Sequence, residues 1–154
     1  MTETFAPVIT GVVVMVPQAR AITPHAHITL LAPFGRESTP TSGELDEVAR
    51  FFAEQAPFAF RLTDVCTFPS GIRYLSPEPA ARFSRLTQGL HRLFPEYPPY
   101  RGEFDIVVPH LTIPEDAVVG PLPLAGHLRE ATLLHSDHGD VTELASFPLG
   151  ASVA

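Results

Sequence analysis

The feature that most constrains this chain is a short pattern of residues that occurs twice. One copy reads HITL and begins at His27; the other reads HLTI and begins at His110, about half of the chain away. Each copy lies in an apolar run, so each predicts a strand, in which alternate side chains point to the same face. His27 then shares a face with Thr29, and His110 with Thr112. The fold must accommodate two imidazole–hydroxyl pairs on β-structure.

A single histidine on a strand is most simply a partly buried imidazole with a hydrogen-bond partner. Two matched pairs favour a shared cleft, because burying polar groups costs free energy unless something satisfies them. Such a cleft suits displacement at phosphorus, which needs a base for the incoming oxygen and an acid for the leaving oxygen. Two imidazoles can take both roles without a metal, and hydroxyl groups can donate to the non-bridging oxygens.

The remaining segments follow the order strands, helix, strands, helix, strands. The first helix is predicted to begin after Thr41, with Glu44 completing a capping box, and to close at Pro57; the second runs over 79–94. The predicted strands cover 9–17, 25–34, 58–69, 71–79, 103–114, 131–136 and 141–147. This order predicts a mixed α/β or α+β fold, with helices covering one side of each sheet, and the repeated motif is consistent with two related halves.

Composition limits the class of protein. The length of 154 residues suits one compact domain over 1–154. The net charge of −7, with ten arginines and no lysine, argues against a protein that grips a long nucleic-acid duplex. A single cysteine excludes an internal disulfide, and the longest apolar run is too short to cross a bilayer. With no basic leader at the N-terminus, we expect a cytoplasmic protein.

Taken together and in this order, the two motifs resemble those of the two-histidine phosphoesterase superfamily, which includes bacterial 2′-5′ RNA ligase-like proteins and cyclic nucleotide phosphodiesterases. The resemblance covers most of the chain: an apolar strand ending in VP, then HITLLAPF, a helix, LTDVCTFPSGIRYL, a second helix and VPHLTI. It implies a bilobal α+β fold with a pseudo-twofold axis. Two antiparallel-rich sheets would flank a central groove, with the helices outside.

The resemblance also implies an activity, the metal-independent hydrolysis of a 2′,3′-cyclic phosphate or a 2′-5′ phosphodiester. It assigns catalysis to His27, Thr29, His110 and Thr112, with no metal and no cofactor. The expected partner is a small nucleotide or an RNA end, with no membrane and no long duplex, and we expect a monomer. The family usually continues from the second motif into a full helix, whereas AVVGPLPLAG here predicts at most a very short one.

Further residues are candidates for binding the substrate. Tyr74 and Phe68 would offer stacking surfaces for a base, although core packing is the simpler account of an aromatic side chain. His25 has the parity of the first motif histidine, although its place after a proline also fits the entry to a strand. Arg36 and Arg73 would bind a second phosphate or lie solvated at the surface.

Three other interpretations remain open. The histidines of HAH at 25–27 could join those of HSDH at 135–138 in a metal site, although their spacing matches no closed ligand set. The fold could be a nucleotide-binding module that has lost turnover. It could also retain its histidines and apply them to a different reaction in specialised metabolism.

Overall fold

The computed structural model describes residues 8–103 and 107–150. Within them, eight strands and two α-helices follow one another in the predicted order. The elements are β1 (Val8–Met15), β2 (His27–Leu31), α1 (Ser42–Ala53), β3 (Phe58–Thr67), β4 (Arg73–Glu78), α2 (Ala80–Leu93), β5 (Leu111–Ile113), β6 (Leu124–Leu128), β7 (Glu130–Asp137) and β8 (Asp140–Pro148). No helix in these ranges is long and apolar enough to cross a membrane.

The strands form two four-stranded antiparallel sheets with equivalent orders. The first sheet runs β2-β1-β7-β8 and the second runs β5-β4-β3-β6. The motif strands β2 and β5 therefore occupy the same position, one at the edge of each sheet, and these two edges lie against each other. The predicted α+β fold with two antiparallel sheets is confirmed, and its topology brings the two copies of the motif together.

Helix α1 begins as the sequence predicts. The Glu44 backbone N–H donates to Thr41 Oγ1 at 3.1 Å, and the Thr41 N–H donates to Glu44 Oε1 at 2.9 Å. This capping box satisfies two donors that the first turn of a helix leaves without an internal partner. The helix packs against β8 and so covers the first sheet at the edge away from the motif.

Helix α2 packs against the motif strand of the first sheet. The buried Thr87 hydroxyl donates to the Leu30 carbonyl oxygen at 2.7 Å. One turn earlier on the same face of α2, Phe83 packs edge-on against Phe58 and Phe60 of the second sheet. One helix thereby ties the two sheets together behind the motif strands, and the apolar core is continuous across both.

A bulge interrupts the alternation of β2 immediately after its threonine. Val13 pairs with Thr29, but Val12 pairs with Leu31, so Leu30 is an extra residue on β2. Leu30 and Leu31 are both buried. Simple alternation would place Leu31 on the face of His27 and Thr29, and the shift of register makes that expectation wrong. Bulges of this kind are common beside active sites, where they redirect side chains.

The second motif strand is shorter than predicted. The apolar pattern predicts a strand over 103–114, but β5 contains only Leu111–Ile113, and residues 104–106 lie outside the described part of the chain. Pro109 and Pro114 flank the strand, and proline cannot donate to a sheet ladder. His110 therefore stands directly before β5 rather than within it.

The segment AVVGPLPLAG contains no helix, and its end enters β6, a strand that the sequence pattern did not predict. Gly126 lies opposite Phe60 in the ladder between β6 and β3. A Cβ at this position would lie 2.5 Å from the Phe60 ring, so only glycine fits. A glycine that resembles a turn signal is here required by close packing within a sheet.

Candidate active site

The two motif histidines make the same hydrogen bond to the backbone. His27 Nδ1 lies 2.7 Å from the His25 carbonyl oxygen, and His110 Nδ1 lies 2.6 Å from the Val108 carbonyl oxygen. A carbonyl oxygen can only accept, so Nδ1 of each ring carries the hydrogen and donates it. In both rings, Nε2 is therefore the nitrogen that gains or loses a proton.

The surroundings lower the pKa of both imidazoles below the usual 6.5. Burial is the main cause in each case, because it disfavours the charged form, and the hydrogen bond to the backbone carbonyl acts in the opposite direction. The charge of His110 lowers the pKa of His27 further. The two rings thus interact electrostatically, and protonation of one opposes protonation of the other.

Among the described residues, three aromatic rings surround His110. Phe68 and Tyr74 stack on each other with centroids 4.1 Å apart, and their centroids lie 5.0 Å and 5.7 Å from that of the imidazole, which meets both edge-on. The third ring, Tyr100, lies nearly parallel to the imidazole at 6.4 Å. The two predicted stacking residues are therefore at the site, and both are only half-buried, which leaves part of their surface accessible.

Tyr74 is held by the second sheet, and Phe68 directly follows β3 of that sheet. Tyr74 lies directly opposite Thr112 in the ladder between β4 and β5. Burial and the neighbouring Cys66 thiol raise the pKa of the Tyr74 phenol, so the phenol stays neutral in the physiological range. Thr112 itself is exposed.

A groove of about 560 Å³ opens beside His27, along the face of the first sheet. Its floor consists largely of aliphatic side chains from β1, β7 and β8, and His27 and Thr29 form part of its wall. This volume lies within the range of small-molecule sites, roughly 300–1,000 Å³. Besides His27 and Thr29, the groove is lined by Ile9, Gly11, Val13, Ala32, Pro33, Tyr100, Arg101, Glu103, Leu134, Ser136 and Val141.

Tyr100 is a residue of the site that the sequence pattern did not indicate. Its backbone N–H donates to the Ala32 carbonyl oxygen at 2.7 Å, just beyond the end of β2. Its ring lies over His110, and its phenol shares a hydrogen bond with the Thr29 hydroxyl. In sequence it belongs to YPPYRG, whose prolines and glycine are typical of a turn, and only the fold brings it to both motifs.

Two other candidates, His25 and Arg73, make contacts that support the structure around the site. The His25 side chain is exposed and its φ is 55°, a left-handed conformation, while its carbonyl oxygen receives the hydrogen of His27 Nδ1. Arg73 Nη1 contacts carbonyl oxygens of the loop after β5, at 2.7 Å for Glu115 and 3.1 Å for Ala117. Arg73 therefore holds this loop in place through one of its guanidinium nitrogens.

The histidines considered as metal ligands do not come together in the described residues. His138 Nδ1 pairs with Asp137 Oδ1 at 2.5 Å on the exposed turn between β7 and β8. His135 Nδ1 instead lies 2.8 Å from the hydroxyl of the buried Thr10. Across residues 8–103 and 107–150, no three histidine, cysteine, aspartate or glutamate side chains form a group that could hold a metal ion.

Solved structures with the same fold cover nearly all of the chain. TT0787 of Thermus thermophilus is 21% identical, with a TM-score of 0.64, and the match covers 93% of this chain and 98% of that one. LigT of E. coli is 17% identical, with a TM-score of 0.63, and the match covers 91% and 96%. LigT has also been crystallised with 3'-AMP and with phosphate. None of the curated protein sequences matches.

The family is established by sequence over most of the chain. The family model of the 2'-5' RNA ligase superfamily matches residues 17–133, a range that contains both motif histidines, both motif threonines and the aromatic residues around His110. The order of the sheets and the meeting of the two motif edges agree with this match. The chain belongs to the 2'-5' RNA ligase superfamily of two-histidine phosphoesterases.

Proposed function

We propose that this protein is a metal-independent phosphoesterase that hydrolyses a 2′,3′-cyclic phosphate or a 2′-5′ phosphodiester of a small nucleotide or RNA end. The observation that carries the proposal is the matched hydrogen bonding of the two histidines. Each donates Nδ1–H to a carbonyl two residues earlier in the chain, at the meeting of two edge strands. Each ring therefore has one nitrogen fixed and the other available for proton transfer.

In the proposed reaction, His110 Nε2 accepts a proton from water as the water oxygen bonds to phosphorus. The bond from phosphorus to the leaving ester oxygen breaks, and His27 Nε2 gives its proton to that oxygen. Thr29 and Thr112 donate hydrogen bonds to the non-bridging oxygens, on which charge accumulates in the transition state. One imidazole must be neutral while the other is protonated, and their mutual repulsion favours this singly protonated state.

The surroundings of the two histidines suit the two parts of a nucleotide ester. The stacked pair Phe68 and Tyr74 offers a flat surface for a base beside His110. The groove beside His27 has room for a second organic group attached to the phosphate. The net charge of −7 favours a small substrate over a long nucleic acid. The nucleotide in a crystal of LigT is consistent with this class of substrate.

The test is a hydrolysis assay over 2′,3′-cyclic mononucleotides and 2′-5′-linked dinucleotides, with and without EDTA. We expect cleavage of at least one class at an undiminished rate in EDTA, because the histidines supply the proton transfers themselves. The double variant His27→Ala/His110→Ala is the background control. Activity that disappears in EDTA and returns with zinc would contradict the proposal, and so would a protein that cleaves neither class.

A further inference from the structure

Tyr100 contacts both halves of the site. Its backbone is bonded to the end of the first motif strand through the Ala32 carbonyl oxygen, at 2.7 Å. Its ring centroid lies 6.4 Å from that of His110, with 25° between the planes. Its phenol meets the Thr29 hydroxyl, on the wall of the groove that His27 also lines. Tyr100, which lies outside both motifs, thus contacts Thr29 of the first motif and His110 of the second.

The backbone around Tyr100 adopts an unfavourable conformation. Tyr100 has φ 52° and ψ 36°, and Arg101 has φ 56° and ψ 26°, so two successive residues other than glycine are left-handed. Such conformations persist only where the surrounding structure enforces them, and they concentrate at functional sites. In this conformation the Tyr100 backbone bonds to Ala32 and its ring stacks on His110.

Thr29 and Thr112 differ in their partners. No described residue makes a hydrogen bond to the Thr112 side chain, whereas the Thr29 hydroxyl has the phenol of Tyr100. A hydroxyl has one hydrogen to donate and lone pairs that accept. The bond with Thr29 lowers the pKa of the phenol, which is the effect of a hydrogen that Thr29 donates to it. When a phosphate oxygen accepts that hydrogen instead, the phenol can turn its own hydrogen toward the Thr29 oxygen.

We propose that Tyr100 is a positioning residue of this site, which orients the Thr29 hydroxyl toward a non-bridging phosphate oxygen and holds the His110 ring by stacking. The inference rests on the proposed function, because it requires a phosphate between the two motifs. The phenol acts through Thr29 and does not itself touch the reacting atoms. Burial raises the pKa of Tyr100, and the bond with Thr29 lowers it by less, so the phenol stays protonated at neutral pH and has a hydrogen to donate once phosphate is bound.

The test is a double-mutant cycle on the binding of inorganic phosphate, measured by calorimetry, which needs no turnover. We expect Tyr100→Phe to bind phosphate about five-fold more weakly, since it loses one oriented hydrogen bond. The double variant Tyr100→Phe/Thr29→Val should bind no more weakly than Thr29→Val alone, because both changes remove the same chain of hydroxyls. A purely structural tyrosine would instead give losses that multiply.

Tyr97→Phe is the matched control. It removes a phenol that donates to Glu44 Oε2 at 2.6 Å, outside the site, and should leave phosphate affinity unchanged. The stacking role is tested separately by NMR titration of the His110 ring. Tyr100→Leu should raise the pKa of His110, because the imidazole becomes more solvated, whereas Tyr100→Phe should leave it unchanged.

Wild-type affinity in Tyr100→Phe, multiplying losses in the cycle, or an unchanged His110 pKa in Tyr100→Leu would overturn the inference. A wild-type protein that binds phosphate but cleaves no ester would refute the proposed hydrolysis, while the binding cycle would still decide the role of Tyr100. A wild-type protein that binds no phosphate at all would contradict both.

Discussion

The two halves of the site share a backbone arrangement and differ in nearly every side chain around it. In each half, a histidine at an edge strand donates Nδ1–H to the carbonyl two residues before it. Around His110, however, the surroundings are aromatic, whereas His27 faces an aliphatic groove. In the proposed function, the duplicated elements move protons, and the elements that differ select the substrate.

The largest expected effect concerns the two histidines, the feature that the halves of the site share. His27→Ala and His110→Ala should each lower kcat/KM on the order of 10²–10⁴-fold, because each removes one proton-transfer group. The double variant should lose much less than the product of the two, since the pair acts as a unit. Steady-state kinetics on a substrate that the wild type cleaves well give the measurement.

His25→Ala is the matched control for these variants. Its side chain is exposed, and the carbonyl that orients His27 remains after the substitution, so the effect should be mild. Near-full activity in either motif variant would show that the two halves do not act as an acid and base pair.

A smaller effect is expected at the aromatic residues beside His110, where the two halves of the site differ. Phe68→Leu and Tyr74→Leu should each raise KM for a nucleotide substrate about ten-fold, because stacking on an aromatic ring contributes about 1–3 kcal/mol per base. Affinity for inorganic phosphate, which has no ring to stack, serves as the control and should change little. Equal losses for nucleotide and phosphate would mean that these rings only support His110.

The smallest expected effect is the dependence of activity and of stability on pH. Because burial lowers the pKa of both histidines, kcat/KM should follow a bell-shaped profile with its maximum on the acidic side of pH 6.5. A histidine with a lowered pKa in the folded protein also favours unfolding when it is protonated, so stability that is present above pH 6.5 should fall as the pH falls below it. The pH–rate profile and thermal melts across the same range provide the measurements, and a profile centred above pH 7 would contradict the assignment.

Features whose residues lie close together in the sequence could be predicted from it. Two His-x-Thr segments and the capping box at Thr41 have local patterns, so the fold class and the start of α1 could be predicted, and four motif residues could be chosen as catalytic candidates. Phe68 and Tyr74 could be named as candidates for stacking from their aromatic side chains alone, and this role stays a prediction. In these cases the signal lies within a few residues of the feature.

Other features depend on contacts between distant segments. The bulge at Leu30 is stabilised by Thr87, which lies in the second helix. Tyr100 reaches the site through a turn whose sequence predicts only a change of direction. Position 126 is a glycine within a strand because the Phe60 ring on the neighbouring strand leaves no room for a side chain. No window of local sequence contains both partners of any of these contacts.

The matched Nδ1–H bonds have a consequence for the whole catalytic cycle. In the proposed reaction, the imidazole that began neutral ends protonated, and the imidazole that began protonated ends neutral. Since both rings are held in the same tautomer, the protein after one turnover is ready for the reverse reaction and not for the next forward one. It must exchange protons with solvent or buffer before it can act again. Two singly protonated forms of the protein, one with His27 charged and one with His110 charged, therefore alternate during the cycle.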